Sequence, residues 1–129
     1  MLDHLVIQVS KLDVSRAFYS AALAPLAMRM RRVLDDDGVV FGGEQPVPEE
    51  DPAGEFCLLQ APVPGERLHF AFRAQTRDQV DAFYRAALAA GGKSNGGPGL
   101  RPQYHAYYYA AFVLDPDGYN IEAVCHLPS

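Results

Sequence analysis

Laid over itself with a shift of 65 residues, the chain repeats. His4 falls on His69, Asp13 on Asp78, Ala17-Phe18-Tyr19 on Ala82-Phe83-Tyr84, and Ala21-Ala22-Leu23-Ala24 on Ala86-Ala87-Leu88-Ala89. All nine identities share one ungapped offset, which chance does not readily supply. A period this long in only two copies is not a solenoid, whose shorter units stack in series. The reading is a duplicated half-domain, about 2–61 and about 66–127, inside a single domain spanning 1–129. The length of 129 residues suits one domain.

Each half predicts the same order of elements. Leu5, Ile7 and Val9 alternate with His4, Val6 and Gln8, the period of two of a strand with one buried face. Phe70, Phe72 and Ala74 alternate with His69, Ala71 and Arg73 in the same way. In both copies the polar residues share the face of the histidine, and the apolar face is expected to pack under a helix. Asp13 is the candidate N-cap of the first helix, and Thr76-Arg77-Asp78-Gln79 opens the second as a capping box. Val80, Phe83, Tyr84 and Leu88 then recur at helical spacing, and Gly91 is the candidate stop. Three short strands are expected after each helix, at about 28–34, 38–42 and 55–61, and at about 93–96, 109–114 and 119–126. Asp115-Pro116-Asp117-Gly118 is a tight-turn signal between the last two, where the first half has a longer Pro- and Glu-rich loop from Gly42 to Gly54. The prediction is βαβββ twice, an α+β arrangement.

Charge narrows the partners. Sixteen acidic residues against eleven basic ones give a formal net charge of −5. That balance speaks against nucleic acid and anionic membranes, which call for clustered Lys and Arg. No apolar run reaches the length of about 18 residues that a membrane-crossing helix needs. Met1-Leu2-Asp3-His4 has neither the basic nor the apolar segment of a signal peptide. Cys57 and Cys125 make no disulfide framework, so the expected compartment is the cytoplasm. Gly91-Gly92 and Gly96-Gly97-Pro98-Gly99 lack the strand–turn–helix setting of a nucleotide-binding loop, and no nucleophile elbow is present.

Three signatures sit on this duplicated pattern: Asp3-His4-Leu5-Val6-Ile7-Gln8-Val9, Arg16-Ala17-Phe18-Tyr19, and Asp115-Pro116-Asp117-Gly118-Tyr119-Asn120-Ile121-Glu122. Together they resemble the vicinal-oxygen-chelate superfamily of glyoxalases, bleomycin-resistance proteins and extradiol dioxygenases, over essentially the whole chain. The resemblance implies two tandem units forming a curved mixed sheet, a cup with a divalent metal at its floor. It places the ligands on His4, His69 and Glu122, with Ni, Zn, Mn or Fe as the ion. Two imidazoles and one carboxylate suit such an ion and leave positions for water and substrate oxygens. The repeat carries position 122 back onto Cys57. There, glyoxalase I-like enzymes have a second carboxylate that serves as ligand and base. The resemblance also implies a homodimer, with metal sites built across the subunit interface in some members.

Other residues are candidates for the substrate. Gln8 and Arg73 each lie four residues past a ligand histidine and point into the cup by periodicity. The segment from Gly96 to Tyr109 reads as a loop that delivers Arg101, Tyr104, His105 and Tyr107 to the mouth of the scaffold. Arg101 suits a carboxylate or phosphate, Tyr107 an apolar wall, and His105 with Tyr104 the handling of protons. The leading expectation is a metal-dependent lyase or isomerase acting on a small oxygenated substrate. One alternative is a ring-cleaving dioxygenase with Fe(II) at the same triad, the other a metal-free binding protein of the bleomycin-resistance kind.

Overall fold

The structure, a computed structural model, describes residues 1–35, 37–44, 48 and 51–129. The first half runs β1 (Leu5–Val9), α1 (Leu12–Leu23), a 3-10 turn (Ala24–Leu26), β2 (Met28–Leu34), β3 (Gly38–Gly43) and β4 (Phe56–Gln60). The second runs β5 (His69–Arg73), α2 (Arg77–Ala89), β6 (Lys93–Leu100), β7 (Tyr109–Leu114) and β8 (Asn120–Cys125). Each half makes its own four-stranded mixed sheet, ordered β1-β4-β3-β2 and β5-β8-β7-β6. The first and last strands of each half lie side by side and parallel. The expected tandem βαβββ pattern is therefore present. Of the long first-half loop, residues 45–47, 49 and 50 lie outside the described residues.

The repeat survives at the level of register. Val6 stands opposite Cys57 in the first half, and Ala71 opposite Glu122 in the second. Cys57 thus occupies in one sheet the place that Glu122 occupies in the other.

Period two decides the faces. Ile7, Val9, Phe56 and Leu58 are buried, and Phe70 and Phe72 pack against the same core. Phe56 meets Phe70 and Phe72 with ring centroids 5.5 and 5.2 Å apart, so the apolar faces of the two sheets share one core. Polar bonds also fasten the halves. The Tyr19 hydroxyl donates to the buried Asp115 carboxylate, and the Tyr119 hydroxyl donates to the Gln8 carbonyl at 2.7 Å. The Ser10 amide donates to Asp117 at 3.0 Å. A buried carboxylate is tolerated here because Asp115 also accepts the amides of Asp117 and Tyr119, both at 2.9 Å. The faces bearing His4, Val6 and Gln8 in one sheet and His69, Ala71 and Arg73 in the other are turned away from this core.

Two local expectations are corrected. Asp13 is not the N-cap of α1: the cap is Lys11, without a side-chain bond, and the Leu12 amide is satisfied from outside by Gln60 Oε1 at 2.8 Å. The second helix follows the prediction, with the Gln79 amide donating to Thr76 Oγ1 at 3.1 Å. The other correction concerns β6, which continues to Leu100 through Gly96-Gly97-Pro98-Gly99, read above as loop. An edge strand needs hydrogen bonds on one side only, and the register against β7 shifts between Gly96 and Gly99, so the proline is accommodated.

Candidate functional site

Glu122 anchors the site. It lies in the middle of β8, is 1% exposed, and stands opposite Ala71 on β5 and Phe112 on β7. Directly paired residues point to one side of a sheet, so Glu122 belongs to the outward face that also carries His69. His69 Nε2 lies 3.0 Å from Glu122 Oε1. The other carboxylate oxygen accepts the hydroxyl of Tyr108. Both oxygens of a buried carboxylate are therefore engaged, as burial of a charge requires.

The second ring nitrogen of His69 is fixed too. Its Nδ1 lies 2.9 Å from the carbonyl oxygen of Asn120. A carbonyl only accepts, so Nδ1 carries the hydrogen, and in the neutral ring Nε2 presents a lone pair to the carboxylate. Two acceptors facing one another at 3.0 Å need a cation or a proton between them. A metal-ligating histidine is commonly held in this way, with its other nitrogen on a backbone carbonyl. The His69–Glu122 pair therefore fits a divalent ion by its donor chemistry.

Around this pair the sequence from Gly96 to Tyr109 closes in. The Arg101 guanidinium sits over the Phe112 ring, 5.3 Å from its centroid, and Phe112 lies 5.9 Å from the His69 ring. Tyr104 packs on Tyr108 with centroids 4.8 Å apart, and His105 meets Tyr108 edge to face. His105 Nδ1 accepts the Tyr107 amide at 3.1 Å, and its Nε2 lies 2.8 Å from His126 Nδ1. Tyr108 is held well above the ordinary phenol range, first by burial, then by its bond to Glu122 and by that carboxylate's charge. It remains a protonated donor.

The structure thus brings His69, Glu122 and Arg101 together, with Tyr104 and His105 on the rim and Tyr107 half exposed beside them. It does not bring the other expected residues to them within the chain. His4 is exposed and turned to Asp3, its Nδ1 2.8 Å from Oδ2. Among the described residues no three His, Cys, Asp or Glu side chains gather closely enough to hold a metal ion. Arg73 lines an open hollow of about 750 Å³ with Leu2, Met28 and Glu55, and Gln8 lines another with Val6, Leu59 and Tyr119. Cys57 is partly buried, and that burial pushes its thiol upward. The sequence offers Tyr108 only as one of three consecutive tyrosines that could wall a pocket, and it gives no role to Phe112 or Asn120. Alternation supplies the signal for Phe112, which falls in phase with Glu122 across the turn. Nothing in a run of three tyrosines singles out Tyr108, since Tyr109 turns the other way, to Asp81 on α2.

A sequence profile of the Glyoxalase/Bleomycin resistance protein/Dioxygenase superfamily matches residues 1–123. No curated protein sequence matches the chain. Among solved structures, a glyoxalase/bleomycin resistance protein from Albidiferax ferrireducens T118 is 30% identical with a TM-score of 0.74. That match covers 96% of this chain and 97% of the other. A glyoxalase/bleomycin resistance protein/dioxygenase family enzyme from Burkholderia phytofirmans PsJN is 16% identical, with 98% of each chain covered and a TM-score of 0.71. The lactoylglutathione lyase of Agrobacterium tumefaciens is 18% identical, with 95% and 90% covered and a TM-score of 0.65. At those two identities the likeness is one of fold.

Proposed function

We propose, from the premise that this chain belongs to the Glyoxalase/Bleomycin resistance protein/Dioxygenase superfamily, a metal-dependent enzyme of the lyase or isomerase type that acts on a small oxygenated substrate. The observation that carries this reading is the His69–Glu122 pair, with the histidine tautomer set by the Asn120 carbonyl. His69 and Glu122 would hold the divalent ion together with His4, contributed by a second copy of the chain. Such an ion supplies Lewis-acid stabilisation of charge developing on substrate oxygens.

What the chain's own residues do follows from their bonds. Tyr108 keeps the Glu122 carboxylate oriented by donating to it, and its raised pKa makes it a positioning group, not a base. Asn120 does the same for His69. Tyr104 and His105 cover the approach, and His105 Nε2 faces another imidazole within hydrogen-bond distance, a route for a proton between the site and solvent. Gln8 and Arg73, like His4, would reach this face from a second copy. A homodimer accords with the apolar side chains left exposed on both halves, Leu2, Val6 and Val33 in the first and Leu68, Leu100 and Tyr107 in the second. Among the described residues no helix is long and apolar enough to cross a membrane. The cysteine usage read from the sequence is what supports a cytoplasmic small-molecule enzyme.

Metal content tests the reading. Tag-free protein, analysed by inductively coupled plasma mass spectrometry, is expected to carry about one Ni, Zn, Mn or Fe per chain, lost in Glu122→Ala and in His4→Ala. Iron accompanied by oxygen uptake on catechols would favour ring cleavage over isomerisation. A chain that takes up none of these ions overturns the enzyme reading in favour of a binding protein.

A further inference from the structure

The Gly-rich stretch of β6 is built around one side chain. Arg101 Nη1 donates to the Gly99 carbonyl at 2.8 Å, and Nη2 donates to the Gly97 carbonyl at 2.7 Å. Gly96 has φ +143°, and a Cβ placed there would lie 3.2 Å from Arg101 Nη2 and 3.1 Å from Phe112 Cδ1. A Cβ at Gly99 would lie 3.3 Å from Nη1. The glycines therefore vacate the space that the guanidinium fills. Phe112 forms the floor beneath it, and the Arg101 amide is itself tied to the Tyr108 carbonyl at 2.7 Å. A long side chain that ordinarily has many rotamers is held in one place, next to the Tyr108–Glu122–His69 group.

Holding it in this way leaves its charge intact. The bonds to Gly97 and Gly99 use neutral carbonyls, so they orient the guanidinium without neutralising it. They occupy two of its five N–H donors, and the remaining three include Nε–H. A fixed fork with spare parallel donors matches the two oxygens of a planar carboxylate.

We propose that Arg101 is the specificity-determining residue of the site and that the substrate carries a carboxylate, seated on the Arg101 fork beside its reacting oxygens. This inference rests on the reading that the outward face of the second half is the substrate face. One fixed charge fits a singly charged group better than a phosphate.

The test uses the 129-residue chain stripped of metal and then freed of chelator by gel filtration, so that neither metal nor a chelator's carboxylates take part. Pyruvate, methyl pyruvate and inorganic phosphate are titrated while the Arg101 Nε–H and the Gly96 and Phe112 amides are followed by nitrogen-15 NMR. Pyruvate is expected to shift all three and to bind at least about tenfold tighter than its neutral ester, in line with a charge-assisted bidentate contact. Arg101→Gln removes that preference, and Arg101→Lys, which keeps the charge without the fork, restores only part of it. Both variants are checked for the wild-type amide pattern elsewhere. Equal binding of acid and ester, an unchanged preference in Arg101→Gln, or an equal response to phosphate overturns the proposal. Carboxylate preference in a protein that never takes up metal would sink the metalloenzyme reading alone, and normal metal uptake without the preference would sink this one alone.

Discussion

Tyr108 and Asp115 show what one hydrogen bond does at the candidate site and at the seam between the two halves. Tyr108 touches the proposed metal centre only through Glu122. Tyr108→Phe leaves the ring packing with Tyr104 and His105 in place and frees one carboxylate oxygen, so metal affinity is expected to fall about 10-fold or more, read by competition with a chromophoric chelator. Asp115 is buried at the seam between the halves, and its carboxyl is held above its ordinary value by that burial, against the opposing pull of its bonds from Tyr19, Tyr119 and Asp117. Between the ordinary and the raised value the folded chain retains a proton that the unfolded chain has lost. The stability contributed is full below the ordinary carboxyl range and is lost as pH rises through the raised value. Asp115→Asn is expected to remove this component. Urea midpoints of the wild type should fall relative to the variant from about pH 4 upward, and parallel profiles would contradict the assignment.

At the scale of elements, the two helices are near copies that begin differently. Thr76 caps α2 through its side chain, whereas α1 starts from Lys11 and borrows Gln60 from β4. Thr76→Ala is expected to cost about 1 kcal/mol, as N-cap removal generally does. Asp13→Ala, which removes only a charge in the first turn, should cost no more than about 0.5 kcal/mol. Equal losses in urea denaturation would show that the caps are not as described. Much of this scale was legible beforehand: strand alternation put His69 on the face of Ala71 and Arg73, the family resemblance put Glu122 forward, and the Asp-Pro-Asp-Gly turn marked the last hairpin. The extension of β6 was not, because Gly and Pro signal a break wherever they occur, while their tolerance depends on lying at a sheet edge, which is a property of the neighbours.

At the scale of the whole molecule, the proposed metal centre needs a third ligand that one chain does not bring to His69 and Glu122. The apolar faces of both sheets are spent on one shared core, so the faces that carry the proposed ligands look outward, and among the described residues His4 does not join His69 and Glu122. A site shared between copies makes a distinctive prediction. His4→Ala and His69→Ala proteins, each metal-free alone, should regain about a quarter of the wild-type metal per chain when unfolded together and refolded as a mixture, since half the dimers are mixed and each of these has one intact site. A site closed within one chain regains none.

By itself the sequence determined the duplication, the alternation of each strand, the helix faces and the residue types available for chemistry, because these follow from local periodicity and from side-chain donors that do not depend on surroundings. Its resemblance to a family then put His69 and Glu122 forward as partners. Only the tertiary structure decided which residues meet. It joined Tyr108 rather than its two neighbours to Glu122, set the His69 tautomer through the Asn120 carbonyl, and seated Arg101 in the space left by Gly96 and Gly99. It also separated His4 from His69, its counterpart in the repeat, and from Glu122. The reason is that contact depends on how two sheets share one core, and a periodic pattern records which face is apolar but not what that face is packed against.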